Sequence, residues 1–524
     1  MSGGNERSAT PINRRFFIVA AGSSLIPGVA ASQVAGQMPP VTRQIMPAEV
    51  DGGAWFKIPG FEDVVNSPRF AGKVVRGWRP ERRVDDYATV RLESVEVPGE
   101  PLLIHNYGHS GAGVTLGLGC ASLTEQWLAE VAKRSKSASI VIVGAGIIGL
   151  SMAYVLKSRG YRNVSIRTRV VSSGNFENAR TVSDIAGGQF DAAGISAIGG
   201  NIIPNLARSD LPLDAAMRET LAVLTARRDQ ASDPFRTAGG RRLHIYTVVR
   251  NYVTNPSAIP GALLAAGRLV RENSTLNALI LERYGSLLPD GGVEGVIAPF
   301  LELQKSRAVD EPIRFGVRDT VLINTASLIT NILAYLRSDI DGPRVRITPG
   351  ETFRYHQELR AIPADIVVNC TGLGGAVLGG ETLVAGGRGV SMLGRYGLLA
   401  RLPKLEVGYG RRDLRYLYSG LGYMFPRSDG TIVGGAWDDS TEQALTAQQV
   451  ASILSVPDGQ RDLLFSNRLE PGPIDRRRAD EMVKVVGCFF LGRRRQLQRL
   501  SAQVDPWMSG KSHFPCAIDR TVCG

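Results

Sequence analysis

The sequence predicts an α/β fold, with a helix-covered and mostly parallel sheet joined to a second unit of mixed strands. Three observations predict it. Residues 140–149 read Ile-Val-Ile-Val-Gly-Ala-Gly-Ile-Ile-Gly, a run of branched residues that breaks into glycines and then turns helical. Leu102 to His105 and Ile366 to Asn369 have the length and composition of buried strands. Gly422-Tyr-Met-Phe-Pro426 and Thr431-Ile-Val-Gly-Gly435, with a turn signal at Asp429-Gly430, read as a β-hairpin.

Each element follows from local pattern. Thr89 to Val97 alternates as a half-buried strand, and Ala121 to Lys133 is an amphipathic helix that feeds the strand at 140–143. From Ile148 to Arg159 apolar residues recur at helical spacing; Gly160 supplies the stop and Asn163 to Ile166 starts the next strand. This β-α-β context is what makes Gly144-x-Gly146-x-x-Gly149 informative, because the spacing alone is common. A Rossmann-like dinucleotide site follows, in which backbone N–H groups and the positive end of a helix face a pyrophosphate. Beyond it, a strand is expected at His244 to Val248, a helix at Thr325 to Leu336, and strands at Val345 to Thr348 and Ile366 to Asn369, the last running into Cys370-Thr-Gly372.

A chain of 524 residues with 44% hydrophobic and 21% charged residues can bury two or three cores. The net charge of +12 comes from scattered residues, with short clusters at Arg476 to Arg478 and Arg493 to Arg495, so no nucleic-acid-reading stripe is expected. The five cysteines cannot all pair with one another; Cys120 and Cys370 sit in apolar surroundings, and Cys516 and Cys523 can form a local disulfide in an oxidising compartment. No residue cluster has metal-ligand spacing, His105 and His109 being the only close imidazoles. Residues 1–37 resemble a twin-arginine export signal: Arg14-Arg15 precede a short apolar stretch that ends in small residues. Asn13 stands where that signal has Ser or Thr, and a disordered cytoplasmic tail is the alternative. The apolar stretch is too broken to span a membrane.

Two features of the glycine unit are unusual. Some 139 residues precede it, including a second glycine-rich segment, His105-Asn-Tyr-Gly-His-Ser-Gly-Ala-Gly-Val-Thr115, which is either a tight turn or a second anion loop. The strand that should end in a ribose-holding acid ends instead in Arg167, Thr168 and Arg169. That leaves open a different ribose contact, a phosphate-bearing adenosine, or weak affinity.

Several blocks carry a family resemblance. Gly77-Trp-Arg-Pro-Glu-Arg82, Val90-Arg-Leu-Glu93, His105 to Thr115 and Gly119-Cys-Ala121 resemble, in order and spacing, the C-terminal part of D-amino-acid oxidases. Ser183-Asp-Ile-Ala-Gly-Gly188, Val368 to Gly372, Gly387-Arg-Gly389 and Gly422-Tyr423 with Pro426 resemble later parts of the same family. The matched blocks cover about a third of the chain, and the C-terminal blocks come first here, which implies a permuted segment order. The resemblance implies a Rossmann-like FAD-binding domain with a mixed-sheet substrate domain. It divides the chain into an export signal (1–37), a linker (38–74), an FAD-binding part (76–194), a first substrate part (195–304), a second FAD-binding part (305–385), a second substrate part (386–470) and a tail (471–524).

The same resemblance implies FAD held by Gly144, Ala145, Gly146, Ile147, Ile148 and Gly149. Further cofactor contacts are implied for Ser183, Asp184, Ala186, Gly187 and Gly188, for Thr371 and Gly372, and for Ser110, Gly111, Ala112, Gly113, Val114 and Thr115. Arg79 would clamp a substrate carboxylate through its planar fork, Tyr423 would add a hydroxyl, and Tyr418 corresponds loosely to a mobile lid residue. Taken alone, Arg79 reads as a surface ion-pair residue and Tyr423 as a core or rim aromatic. Gln189, Phe190, Asp191 and Ala193 stand where the family lines its pocket with larger residues. The implied reaction is oxidative deamination of a D-amino acid, with O2 as the electron acceptor; with the charge pattern and ligand spacing above, no nucleic acid, metal or stable membrane span is expected. The alternatives are an oxidase of glycine, L-amino acids or another amine, and an inactive flavin-binding protein. A nicotinamide-only dehydrogenase would leave the second loop unused.

Overall fold

The computed structural model places residues 42–524 in the second of its two units. It describes residues 73–85, 87–176, 178–190, 192, 195–202, 211–225, 246–254, 315–383, 390–401, 415–419, 422–427, 430–436 and 443–445, all in the second unit. The expected signal and tail, with Cys516 and Cys523, the linker up to residue 72 and Asp429 of the expected hairpin turn lie outside these residues; the last two linker residues, Lys73 and Val74, instead begin a strand.

Among the described residues fifteen strands form one mixed sheet. Its parallel half holds β3 (Leu102–Tyr107), β10 (Ile366–Asn369), β4 (Ser139–Ala145), β5 (Asn163–Val171) and β9 (Arg346–Thr348), side by side in that order. Apolar residues cover both faces, as a parallel sheet requires. Ile140, Ile142, Val164, Ile166, Ile366 and Val368 belong to one core with α1 (Gly113–Glu130), α2 (Ile147–Ser158), α3 (Pro212–Thr225) and α4 (Thr325–Arg337). Their neighbours Leu103, Val143 and Val367 pack on the opposite side against Leu359, Ile362 and Leu378, from α5 (His356–Arg360), the turn after it and α6 (Gly375–Leu378). The strict alternation of period 2 assigns each residue to one core.

The other half is mostly antiparallel: β2 (Tyr87–Val95), β1 (Lys73–Val84), β11 (Val390–Arg401), β14 (Gly430–Ala436), β13 (Gly422–Arg427), β12 (Arg415–Ser419), β7 (Tyr246–Thr254) and β8 (Phe315–Ile323) in spatial order. The remaining strands are β6 (Ala197–Gly199), beside β2, and β15 (Gln443–Leu445), beside β11. β1 pairs with β11 along its whole length but with β2 only at Arg83 and Val84, so it leaves the parallel half and crosses into the other.

The β-α-β unit forms as expected. Gly160, at φ +89, ends α2, and the Tyr161 N–H returns to Leu156 O at 3.1 Å. Lys157, buried at the end of α2, donates to Tyr335 O at 3.0 Å and Ser338 O at 2.5 Å, holding the C-terminus of α4. Asn324 caps α4 by accepting the Ser327 N–H at 3.0 Å. One boundary moves considerably: α1 begins at Gly113, eight residues before the expected Ala121. Glycine disfavours helix, yet a Cβ on Gly119 would lie 1.7 Å from Ala216 O of α3, and one on Gly117 would lie 3.2 Å from Ser151 Oγ of α2. The glycines are there for helix contact, and packing overrides their propensity.

Among the described residues no helix is long and apolar enough to cross a membrane, and no cluster could hold a metal ion. Cys120 and Cys370 are buried free thiols; burial raises both thiol pKa values, that of Cys120 to about 12, which keeps them inert.

Candidate active site

The strand order reverses between β4 and β10, and at that point β3, β10 and β4 end together on one edge. A crevice of this kind is where open α/β sheets bind ligands.

The β4 end carries the glycine motif. Gly144 has φ +105, and a Cβ there would lie 2.6 Å from Cys370 O on the neighbouring segment. A Cβ on Gly149 would sit 1.9 Å from Gly144 O, so this glycine lets helix and strand meet. Gly146 differs: the nearest atom to its Cβ position is Ser183 Oγ, at 3.4 Å. Its glycine leaves backbone open to an approaching group, the property a pyrophosphate needs. The Ile147 N–H, at the start of α2, donates to Ser183 Oγ at 2.9 Å. Ile148 is half-buried against the core.

Ser183 and Asp184 lie on the 3-10 turn 182–185. The Asp184 carboxylate accepts the N–H groups of Ser173 and Gly174 at 2.8 Å, those of Arg180 and Thr181 at 3.0 Å, and the Thr181 hydroxyl at 3.1 Å. Five donors occupy its lone pairs, so Asp184 sets the shape of the loop and Ser183 presents the hydroxyl. After Ala186 and Gly187, Gly188 (φ +87) passes so close to β8 that a Cβ would lie 2.0 Å from Ile323 O. Of the residues expected to line the pocket, Phe190 is instead fully buried in the main core; Asp191 and Ala193 lie outside the described residues.

The β3 end is built differently. Gly108 (φ +89) would meet Arg82 Cβ at 2.7 Å if it bore a side chain. Ser110 adopts φ +47, and its hydroxyl donates to Glu81 Oε2 of β1 at 2.9 Å. Glu81 is buried and also receives Arg83 Nε at 2.8 Å. Ser110, Gly111 and Ala112 form a 3-10 turn, while Gly113, Val114 and Thr115 open α1. Thr115 Oγ1 donates to Gln189 O at 3.2 Å, which joins this helix to the segment after Gly188. His109 is buried with no partner at Nε2, and burial lowers its pKa to about 3; His105 is lowered to about 2 by burial and then by Arg91, His356, Arg360 and Arg82. Both imidazoles are therefore neutral at pH 7.

Between these ends, β10 runs into Thr371, whose N–H and hydroxyl reach Asn369 Oδ1 at 3.3 and 2.7 Å, and into Gly372 at φ +63. The first helix turns at 113 and 147 and the Thr371–Gly372 turn thus share one edge. β1 crosses above it, touching the 3-10 turns at 110–112, 182–185 and 372–374. A Cβ on Gly372 would be 3.8 Å from Pro80 Cγ, next in chain to Arg79. Arg79 pairs with Arg395 of β11, while Tyr418 and Tyr423 oppose each other across β12 and β13. Through Gly434 and Leu399, the Tyr423 row meets β1 at Val75, four positions before Arg79.

A buried ionic cluster behind the second loop was not foreseen. Arg82 makes a bidentate pair with Glu381 (2.6–3.0 Å) and donates to Thr89 Oγ1 at 2.7 Å. Tyr107 OH donates to Glu381 at 2.7 Å and accepts from Arg91 at 2.8 Å. Burial alone would raise the Glu381 pKa, but Arg82, Arg91 and Tyr107 outweigh it and hold the carboxyl below its usual value. The arginines at 82 and 91 were visible in the motif blocks; their acceptor, about 290 residues away, had no local signal.

No protein-family model matches the chain. Over 58 residues it is 48% identical to a D-amino-acid oxidase of Rubrobacter xylanophilus, a stretch that covers 10% of this chain and 16% of that enzyme. Among solved structures it is similar to the fructosyl amine:oxygen oxidoreductase Amadoriase I of Aspergillus fumigatus, with 13% identity, a TM-score of 0.31, and coverage of 72% of this chain and 92% of that one. A double-cysteine variant of the same enzyme gives 14% identity and a TM-score of 0.31.

Proposed function

We propose that this chain is an FAD-dependent oxidase of amino acids, with D-amino acids as its substrates. One observation carries the reading: two glycine-started helices and the Thr371–Gly372 turn meet at the edge where β3, β10 and β4 end. A single pyrophosphate needs one such helix start; a flavin dinucleotide has use for the second at its ring, where negative charge collects on reduction.

In this reading Gly144 to Gly149 and Ser183 hold the pyrophosphate, while Ser110 to Thr115 and Thr371-Gly372 border the flavin ring. Bound there, the flavin supplies a two-electron acceptor for the Cα hydrogen of the substrate. The chain itself orients that substrate: Arg79 takes the carboxylate as a bidentate clamp, Tyr423 adds a hydrogen bond, and Tyr418 closes the mouth. The crossing of β1 above the edge supports the assignment of Arg79.

The segment order supports a permuted relation to such oxidases. β3 and α1 precede the glycine unit in the chain, yet β3 lies beside β10, the latest strand of the parallel half. A chain with β3 placed after β10 would build the same sheet. Export through Arg14-Arg15 is part of the proposal; changing both to lysine should leave the precursor in the cytoplasm.

The decisive experiment is anaerobic bleaching of the purified protein. It should be yellow, and its flavin band should fade with D-amino acids and persist with their L-enantiomers. A protein that stays colourless and unsaturable with added FAD would overturn the proposal; bleaching by amines or L-amino acids alone would keep the cofactor and overturn the substrate.

A further inference from the structure

The parallel half contains a feature that the flavin reading does not explain: the ion pair at the end of β5. In β-α-β dinucleotide sites an acid at the end of the second strand takes the ribose hydroxyls, and an arginine there accommodates a 2′-phosphate. β5 ends in Arg167, Thr168 and Arg169.

Thr168 occupies the position that turns toward the glycine loop, in phase with the buried Val164 and Ile166. Its hydroxyl is already engaged: it accepts the Ala145 N–H at 3.2 Å and donates to Val170 O at 2.9 Å. At 4% exposure it closes the end of β5 onto the loop. Arg167, one position away, lies in register with Val143 of β4 on one side and Thr348 of β9 on the other.

Beyond β9 the chain turns back over the end of β5. Gly350 N–H donates to Arg169 O and Glu351 N–H to Thr168 O, both at 3.1 Å. This brings the Glu351 carboxylate to 2.5 Å from Arg167 Nε, with the guanidinium 5.1 Å from the Phe353 ring. The side chains are 34% and 30% exposed, so the pair remains open to a ligand.

We infer that Glu351, carried in from the loop after β9, is the acid that receives the adenosine ribose, and that its pairing with Arg167 selects a free 2′-hydroxyl over a 2′-phosphate. The inference rests on the dinucleotide reading above. An unpaired Arg167 would attract a phosphate. Paired, its charge is cancelled, and the carboxylate keeps lone pairs for ribose hydroxyls beyond the one used by Nε. The strand supplies the cation and the next loop the anion, so the acid is present in space though absent from its usual place in sequence.

The test is a competition measured on the full chain. FAD binding is followed by flavin fluorescence and displaced by 5′-ADP or by adenosine 2′,5′-bisphosphate, in wild type and in Glu351→Gln. Wild type should prefer 5′-ADP. Glu351→Gln should bind FAD about tenfold more weakly, the scale of one hydrogen bond to a charged group, and should shift its preference toward the bisphosphate by about the same factor. Arg167→Gln combined with Glu351→Gln should abolish that gain, since the Arg167 cation is gone. Should Glu351→Gln fail to fold, Glu351→Asp keeps the charge but withdraws it; it should weaken 5′-ADP without gaining the bisphosphate.

An unchanged ratio in Glu351→Gln, or a wild-type preference for the bisphosphate, would overturn the inference. If wild type binds no FAD, the two nucleotides are compared directly by calorimetry. The expected ratio would then uphold the adenosine site while rejecting the flavin reading.

Discussion

The two strand-to-helix turns at the active edge look alike in sequence and are held by different means. At β4–α2 part of the constraint is local, since Gly149 meets the carbonyl of Gly144 within one turn, while Ser183 holds the first helical N–H and Cys370 O crowds Gly144. At β3–α1 the constraint is remote. Ser110 is tied to Glu81 of β1, Gly108 faces Arg82, and the helical glycines face α2 and α3. A motif closed by its own backbone can be read from ten residues; one closed by distant partners cannot.

Breaking the tightest contact in each unit should have the largest effect. Gly149→Ala and Gly119→Ala each put a Cβ within 2 Å of a backbone oxygen, and we expect losses of about 3 kcal/mol, the upper end for overpacking. Denaturant midpoints measure both. A loss below about 1 kcal/mol in Gly119→Ala would mean that α1 and α3 are not in contact as described.

Acidification should distinguish the two turns next. His105 and His109 flank only the second turn, and their folded pKa values, about 2 and about 3, lie below the unfolded value near 6.5. Below pH 6.5 the unfolded chain therefore binds more protons, so their contribution is complete above that pH and falls as pH drops toward the folded values. Between pH 7 and 5 each histidine should account for about 2 kcal/mol of lost stability. Hydrogen exchange should show β3–α1 opening before β4–α2, and His109→Gln should remove about half of the pH dependence. Equal loss of protection in both turns would contradict the difference drawn here.

Ser110→Ala is a smaller test. It removes the hydrogen bond to the buried Glu81 carboxylate, and about 1–2 kcal/mol should be lost, with protection reduced around 110–115 and unchanged around 144–149. Gly146→Ala should have the smallest effect on stability, because its Cβ would meet only Ser183 Oγ at an ordinary distance. Its effect should appear in dinucleotide affinity. Normal FAD binding by Gly146→Ala would argue against a backbone approach at that residue.

Much of the parallel half was legible in the sequence. The strands at 140–143 and 366–369, the helix from 148 and the Gly160 stop follow from period-2 runs, helical spacing and a left-handed glycine, all local physics. The start of α1 was not, because Gly113, Gly117 and Gly119 read as loop until helices α2 and α3 are set against them. Asp184 looked like a ligand from its motif, but five loop donors occupy it. Phe190 looked like a pocket residue and is in the core, where the Gln189–Leu322 bridge and its own N–H bond to Val321 O hold the segment against β8.

By itself, then, the sequence determined the β-α-β unit and the presence of two glycine-rich turns, because short-range sterics and periodicity encode them. Only the tertiary structure decided that both turns open on one edge, that β1 crosses above them, and that Glu381 and Glu351 reach arginines far away in the chain. Those outcomes depend on strand order and on charges paired across hundreds of residues, and neither leaves a periodic trace along the chain.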